Sequence, residues 1–197
     1  MTTTVVGLGN PGEDYTDTRH NTGRIIAELL AKRFESTEWK EDKKCKALRA
    51  EGAEGKERID FVLPNTFMNK SGAAVLPLIK NAKQAERLLV IHDDLDLPLG
   101  TLKLSFNRGS GGHKGVESIM RALKTKAFVR VRVGIAKATP KGKLKKPVGE
   151  EAVAKYILGT FKKEELDILK KVAKRIGDAL VVLITESREK AMSLYNK

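Results

Sequence analysis

Four consecutive aliphatic residues, Leu88-Leu89-Val90-Ile91, run directly into His92-Asp93-Asp94-Leu95-Asp96. A continuous apolar run of this length is the pattern of a strand covered on both faces, as in a sheet with helices on either side. Carboxylates at the carboxyl end of such a central strand are costly unless something uses them. Open α/β sheets place their sites at that end. The remaining segments agree with such a sheet. Thr3 to Val6 reads as a first strand, and Gly23 to Phe34 as a helix with Ile25, Ile26, Leu29 and Leu30 at helical spacing. Ala47–Ala50 and Ile59–Leu63 read as paired strands. Ser71-Gly72 opens a helix toward Lys80, weakened by Pro77. Leu95 to Phe106 reads as a hairpin turning at Pro98-Leu99-Gly100, Val116–Leu123 as a short helix, and Phe128–Ile135 as a strand alternating Val129, Val131 and Val133 with Arg130 and Arg132. Glu150–Leu158 and Glu164–Ile184 read as helices, the second strongly amphipathic, with a last short helix from Ser187. The expected fold is a single α/β domain over residues 1–197, with a mixed, mostly parallel central sheet covered by helices on both faces.

With 197 residues the chain is long enough for a sizeable core. Its 38 Lys and Arg against 25 Asp and Glu leave a net charge of +13, which favours a polyanionic partner, nucleic acid first. Aromatics make up only 5%, too few for a platform that stacks many bases. Residues 137–146 hold five lysines (137, 141, 143, 145, 146) and no acid, with Pro140 and Gly142, and read as a mobile basic loop. The one cysteine, Cys45, excludes an intramolecular disulfide and fits a reducing, cytoplasmic setting. It reads as an incidental exposed thiol among Lys43, Lys44 and Lys46, which would depress its pKa. The N-terminus lacks the pattern of a signal peptide, and no apolar run approaches the ~18 residues of a membrane span.

Five stretches offer chemistry. Gly7-Leu8-Gly9-Asn10-Pro11-Gly12 matches G-x-G-x-x-G after a strand. A dinucleotide site needs a helix to open at the third glycine. Here the polar stretch to Asn21 delays it, so a tight turn presenting Asn10 is the better reading. Tyr15 to Gly23 places His20 on a loop just before a helix, flanked by Arg19 and Asn21. Imidazole titrates near neutral pH and suits proton transfer. Asn65 to Gly72 sets Met68 and Asn69 before a helix, where Asn69 either caps that helix or offers its amide to a peptide. Gly109-Ser110-Gly111-Gly112-His113-Lys114-Gly115 is a glycine-rich loop entering a helix, suited to a phosphate or carbonyl oxygen. The acids after Ile91 suit either Mg²⁺ or the support of a histidine. They alternate in direction along an extended chain, so Asp93 alone is favoured as the partner of His20. No serine or cysteine has an activated setting, so a hydrolase built on these residues would use water with a histidine base.

These blocks, in this order, resemble the bacterial-type peptidyl-tRNA hydrolase family, with a further block at Tyr156-Ile157-Leu158-Gly159-Thr160-Phe161. The resemblance implies hydrolysis of the ester between peptide and tRNA, with no cofactor and no metal. It implies that His20 activates water and Asp93 holds its ring. Asn10, Asn69 and Met68 position the ester and peptide, His113 contacts the peptide from across the cleft, Tyr15 lines the site, and Asn21 supports it. Lys103 and Arg132 grip the tRNA 5′-phosphate. Where the family has Asn after the histidine of the glycine-rich loop, this chain has Lys114, which donates but cannot accept and adds charge. The peptide or 3′-end contact at that position is the one put in question. The implied partner is peptidyl-tRNA, with no membrane and no obligate protein partner; a single domain with an exposed substrate path suggests a monomer. A non-catalytic RNA-binding protein on the same scaffold and a dinucleotide-dependent oxidoreductase are the rival readings.

Overall fold

A computed structural model of the chain describes residues 2–140 and 142–196. In chain order the elements are β1 (Thr2–Gly7), α1 (Thr22–Arg33), β2 (Lys40–Asp42), β3 (Ala47–Glu54), β4 (Glu57–Pro64), α2 (Gly72–Val75), α3 (Ala82–Glu86), β5 (Leu88–Pro98), β6 (Leu102–Phe106), α4 (Lys114–Leu123), β7 (Val129–Ala138), β8 (Leu144–Lys145), α5 (Glu150–Leu158), α6 (Lys163–Thr185) and α7 (Arg188–Tyr195). The sheet order is β2-β3-β4-β1-β5-β7-β6, with β8 added to the far end of β7. The four central strands β4, β1, β5 and β7 run parallel, and the flanking pairs are antiparallel. The expected mixed α/β sheet is therefore present, with its parallel part confined to the centre.

The sheet buries both faces. Val5, Leu89, Ile91, Val131 and Val133 pack with Ile26, Leu30, Leu169, Val172 and Ile176 of α1 and α6. Val6, Val62, Leu88 and Val90 pack on the other face with Val75, Val116 and Ile119 of α2 and α4. Alternation along β5 thus sends odd positions toward α1 and even positions toward α4, which explains why an uninterrupted apolar run was needed there.

Two glycines fix how closely α1 approaches. A side chain at Gly23 would meet the Ile91 carbonyl oxygen at 2.2 Å, and one at Gly7 would meet Ala27 Cβ at 2.5 Å. The start of α1 therefore lies directly on the carboxyl ends of β1 and β5, and the residues just before it are held over that edge. The glycine motif ends in two 3₁₀ turns, Glu13–Tyr15 and Arg19–Asn21, before α1 opens. The third glycine, Gly12, leads into the first 3₁₀ turn and not into an α-helix, in agreement with the tight-turn reading.

Three expectations are corrected. Leu95–Phe106 is not a hairpin: β6 pairs with β7, which lies between β5 and β6. The turn at Pro98 to Gly100 carries the chain over the end of β7, because Gly134 lets the two backbones approach closely (a Cβ there would meet the Pro98 carbonyl oxygen at 2.0 Å). Lys137–Lys146 is not simply a loop: Lys137 and Ala138 pair with Lys145 and Leu144 in a short hairpin, with Lys141 outside the described residues. Cys45 is 3% exposed, and burial pushes its thiol up rather than down, with the Asp42 carboxylate adding to that.

Candidate active site

All three histidines of the chain converge on Asp93. β5 delivers Asp93 on the α1 face and His92 on the α4 face, in keeping with strand alternation. The 3₁₀ turn before α1 delivers His20, whose Nδ1 lies 3.0 and 3.1 Å from the two oxygens of Asp93. The glycine-rich loop delivers His113, whose Nε2 lies 3.0 Å from Asp93 Oδ1. The rings of His20 and His113 are 5.0 Å apart, and those of His92 and His113 are 4.7 Å apart.

Hydrogen-bond partners fix the protons. His113 Nδ1 accepts from the backbone N–H groups of Gly115 and Val116 at 3.2 and 3.4 Å, so the ring's proton sits on Nε2 and is donated to Asp93. His92 Nδ1 lies 2.7 Å from the Asp93 carbonyl oxygen and must donate to it. His92 Nε2 is buried without a partner among the described residues. Burial pushes His20 down, but the charge and hydrogen bond of Asp93 push it up by more, against a smaller opposing effect of Lys114, so its net shift is upward. Burial works to raise Asp93, yet His20 and His113 hold it well below the usual carboxylate range. Burial, helped by His113, pushes His92 well below an ordinary imidazole.

His20, Asp93 and His113 lie close enough together to invite a metal ion. The donor set does not fit one. A neutral imidazole has one lone pair, and that of His113 is already given to the start of α4, on the nitrogen facing away from Asp93. The chemistry available is proton transfer at His20, whose Nε2 is left free when Nδ1–H is given to Asp93.

Around this cluster the predicted residues fall into two groups. Asn21 gives both ends of its amide to the backbone of Asn10: Oδ1 accepts from Asn10 N–H at 2.8 Å and Nδ2 donates to Asn10 O at 2.9 Å. Asn10 Oδ1 in turn accepts from Met68 N–H at 2.8 Å. This leaves Asn10 Nδ2 without a partner among the described residues. Asn69 is exposed and caps no helix; its amide too is free among the described residues. Met68 is 5% exposed, its sulfur lying where a Gly115 side chain would be, so it is largely core. Tyr15 is half-buried beside Gly12, with no side-chain hydrogen bond into the cluster. Lys103 is exposed on β6 opposite Arg132 on β7, and Arg132 Nε donates to Asp94 at 2.6 Å.

Three features were not foreseen from the sequence. Arg19 is buried, with Nη2 donating to both oxygens of Glu165 at 2.9 and 2.8 Å and Nη1 donating to the carbonyls of Gly159 and Thr160. It also lies about 5 Å from the ring centres of Tyr156 and Phe161. The His20 turn is thus bolted to the connection between α5 and α6. Arg130 is buried and donates to the Ser110 carbonyl, steadying the glycine-rich loop at 3.2 Å. Lys114 turns outward to Glu150 of α5 at 3.3 Å, and Lys146 pairs with Asp96. The block at Tyr156–Phe161 was the signal for the first of these, since its aromatics are what Arg19 packs against.

Comparison with known proteins places this arrangement. The peptidyl-tRNA hydrolase family model matches residues 4–197. The chain is 41% identical to the peptidyl-tRNA hydrolase of Aquifex aeolicus over 98% of this chain and 95% of that one. It is 36% identical to that of Sulfurihydrogenibium sp. (strain YO3AOP1) over 100% and 98% respectively. The crystal structure of peptidyl-tRNA hydrolase from Acinetobacter baumannii superposes with a TM-score of 0.86 at 31% identity, covering 99% of this chain and 94% of that one. With its histidine–aspartate cluster at the carboxyl edge of the sheet, the chain belongs to the peptidyl-tRNA hydrolase family.

Proposed function

We propose that the chain hydrolyses the ester joining a peptide to the terminal ribose of tRNA, with His20 as the base. The observation that carries this reading is the His20–Asp93 contact, 3.0 Å from Nδ1 to Oδ1, in a chain of this family. Asp93 fixes the His20 tautomer, so that Nε2 takes a proton from water as the water oxygen attacks the ester carbonyl. The same nitrogen returns the proton to the ribose oxygen as the C–O bond breaks. The free Nδ2 of Asn10 and the amide of Asn69 are suited to donate to the carbonyl oxygen as it gains charge and to hold the peptide. Tyr15 borders the substrate path. Lys103 and Arg132 serve the tRNA 5′-phosphate; Arg132 has Nε already committed to Asp94, so its remaining donors would do so. One chain supplies the whole cluster, which favours action as a single-domain monomer. The reaction is assigned to the cytoplasm, where the tRNA pool is.

The test is release of an N-blocked amino acid from its tRNA by the purified protein. The native chain is expected to cleave, and His20→Ala to lower turnover by roughly 10²–10⁴-fold. Tight binding of tRNA without cleavage would replace this reading with that of a non-catalytic RNA-binding protein.

A further inference from the structure

We propose that His113 is a positioning residue of this site: it holds the Asp93 carboxylate toward His20 and ties it to the backbone at the start of α4. This deepens the reading of the site given above and rests on it for its catalytic meaning.

The case begins with the nitrogens of His113. A histidine that contacts a peptide by hydrogen bonding needs a free ring nitrogen. His113 has neither free: Nδ1 accepts the N–H groups of Gly115 and Val116, and Nε2–H is given to Asp93. Its side chain is only 8% exposed. The ring is clamped between two fixed partners, one of them the first turn of α4, which is packed rigidly on the sheet through Val116 and Ile119. Asp93 is therefore held from two sides. Oδ1 receives N–H from both His20 and His113, each at 3.0 Å, and the second bond fixes the plane of the carboxylate that the first depends on. It also draws off part of the carboxylate's charge, which would otherwise act on His20 alone.

The charged and titratable groups acting on the pair are His113 and Lys114 at the start of α4, with His92 of β5 beside Asp93 and Arg130 of β7 acting on His92. Arg19, the neighbour of His20 in the chain, is turned away onto Glu165. Substituting His113 by a neutral amide leaves every other one of these in place.

Two substitutions separate the two bonds of the ring. His113→Asn keeps an acceptor at the position of Nδ1 and caps α4, but falls short of Asp93. His113→Gln keeps a donor near the position of Nε2 and gives up the cap. The measurement is an NMR titration of the His20 ring in the full chain, where three histidines give a simple spectrum. In the Asn variant the His20 midpoint is expected to rise by about half a pH unit or more, the scale of removing a competing hydrogen bond from its counter-ion. In the Gln variant it should stay near the native value while thermal stability falls. Turnover in the Asn variant should drop more at pH 6 than at pH 8, with KM little changed. An unmoved His20 midpoint in the Asn variant, or equal shifts in both, would overturn the proposal. So would a rise in KM alone, which is what a peptide ligand would show. The titration needs no turnover, so a chain that fails to cleave peptidyl-tRNA would sink the functional reading while the role of His113 is still decided.

Discussion

Asp93 is the residue on which most of the chemistry turns, and its effect on pH dependence has a definite sign. His20 is raised above its ordinary value, because the combined pull of Asp93 outweighs burial. The base form is needed for turnover, so the acid limb of kcat should have its midpoint above about 6.5. Asp93→Asn should move that midpoint down and lower turnover, as followed by kcat against pH. Stability runs the other way. A raised histidine contributes stability that is fully present below its unfolded value and is lost as pH rises through the folded one. The depressed Asp93 contributes above its unfolded value and is lost on acidification. Urea titrations across pH should find the pair's contribution largest between about pH 4 and 6.5. The pairing of His20 with Asp93 was legible because strand alternation leaves one carboxylate of the series facing α1. The second histidine on the same carboxylate was not. The sequence places the start of α4 at Val116, whereas the helix starts at Lys114, and that shift turns His113 into its cap. The depth of Met68 was not legible either: Gly115, having no side chain, leaves room for its sulfur to sink into the core.

The elements that hold His20 make a stronger claim on the sequence than their helix and strand propensities do. Gly23 is required because the Ile91 carbonyl sits where its side chain would be, and Gly23→Ala should both destabilise the chain and displace the His20 turn. Arg19 and Glu165 form a pair whose side chains are only 8% and 13% exposed. Arg19→Met leaves the largely buried Glu165 carboxylate with only the Lys162 N–H for a partner, and a drop of about 3 kcal/mol in stability is expected by urea denaturation. Because the same guanidinium holds the Gly159 and Thr160 carbonyls, turnover should fall with it. Most elements were readable from periodicity, but the β5–β6 segment was not. Two strands joined by a Pro-Leu-Gly turn look like a hairpin in one dimension. Only the insertion of β7, some thirty residues later in the chain, shows that they flank a third strand. Strand order of this kind is set by pairings distant in sequence and leaves no local pattern.

Over the whole molecule, the charge of +13 is not all available to a ligand. Arg19, Arg33 and Arg49 are committed to carboxylates or carbonyls of the chain itself. Lys137 and Lys145 stand opposite each other in the β7–β8 hairpin with no acid paired to either among the described residues, and Lys103 is exposed on β6. tRNA binding should therefore weaken steeply with salt. Replacing Lys137 and Lys145 by Ala should flatten the slope of log K against log salt by about one unit for each phosphate that is no longer neutralised. The buried thiol has a different use. Cys45 is the one sulfhydryl of the chain, in the turn between β2 and β3, with its side chain buried in the core beside Ala47 and Val62 and its N–H on Asp42. A thiol-specific dye added to the folded protein can react only when that edge of the sheet opens. The rate of labelling is thus a built-in clock for local opening, one that runs without a single engineered substitution and can be read with and without tRNA present.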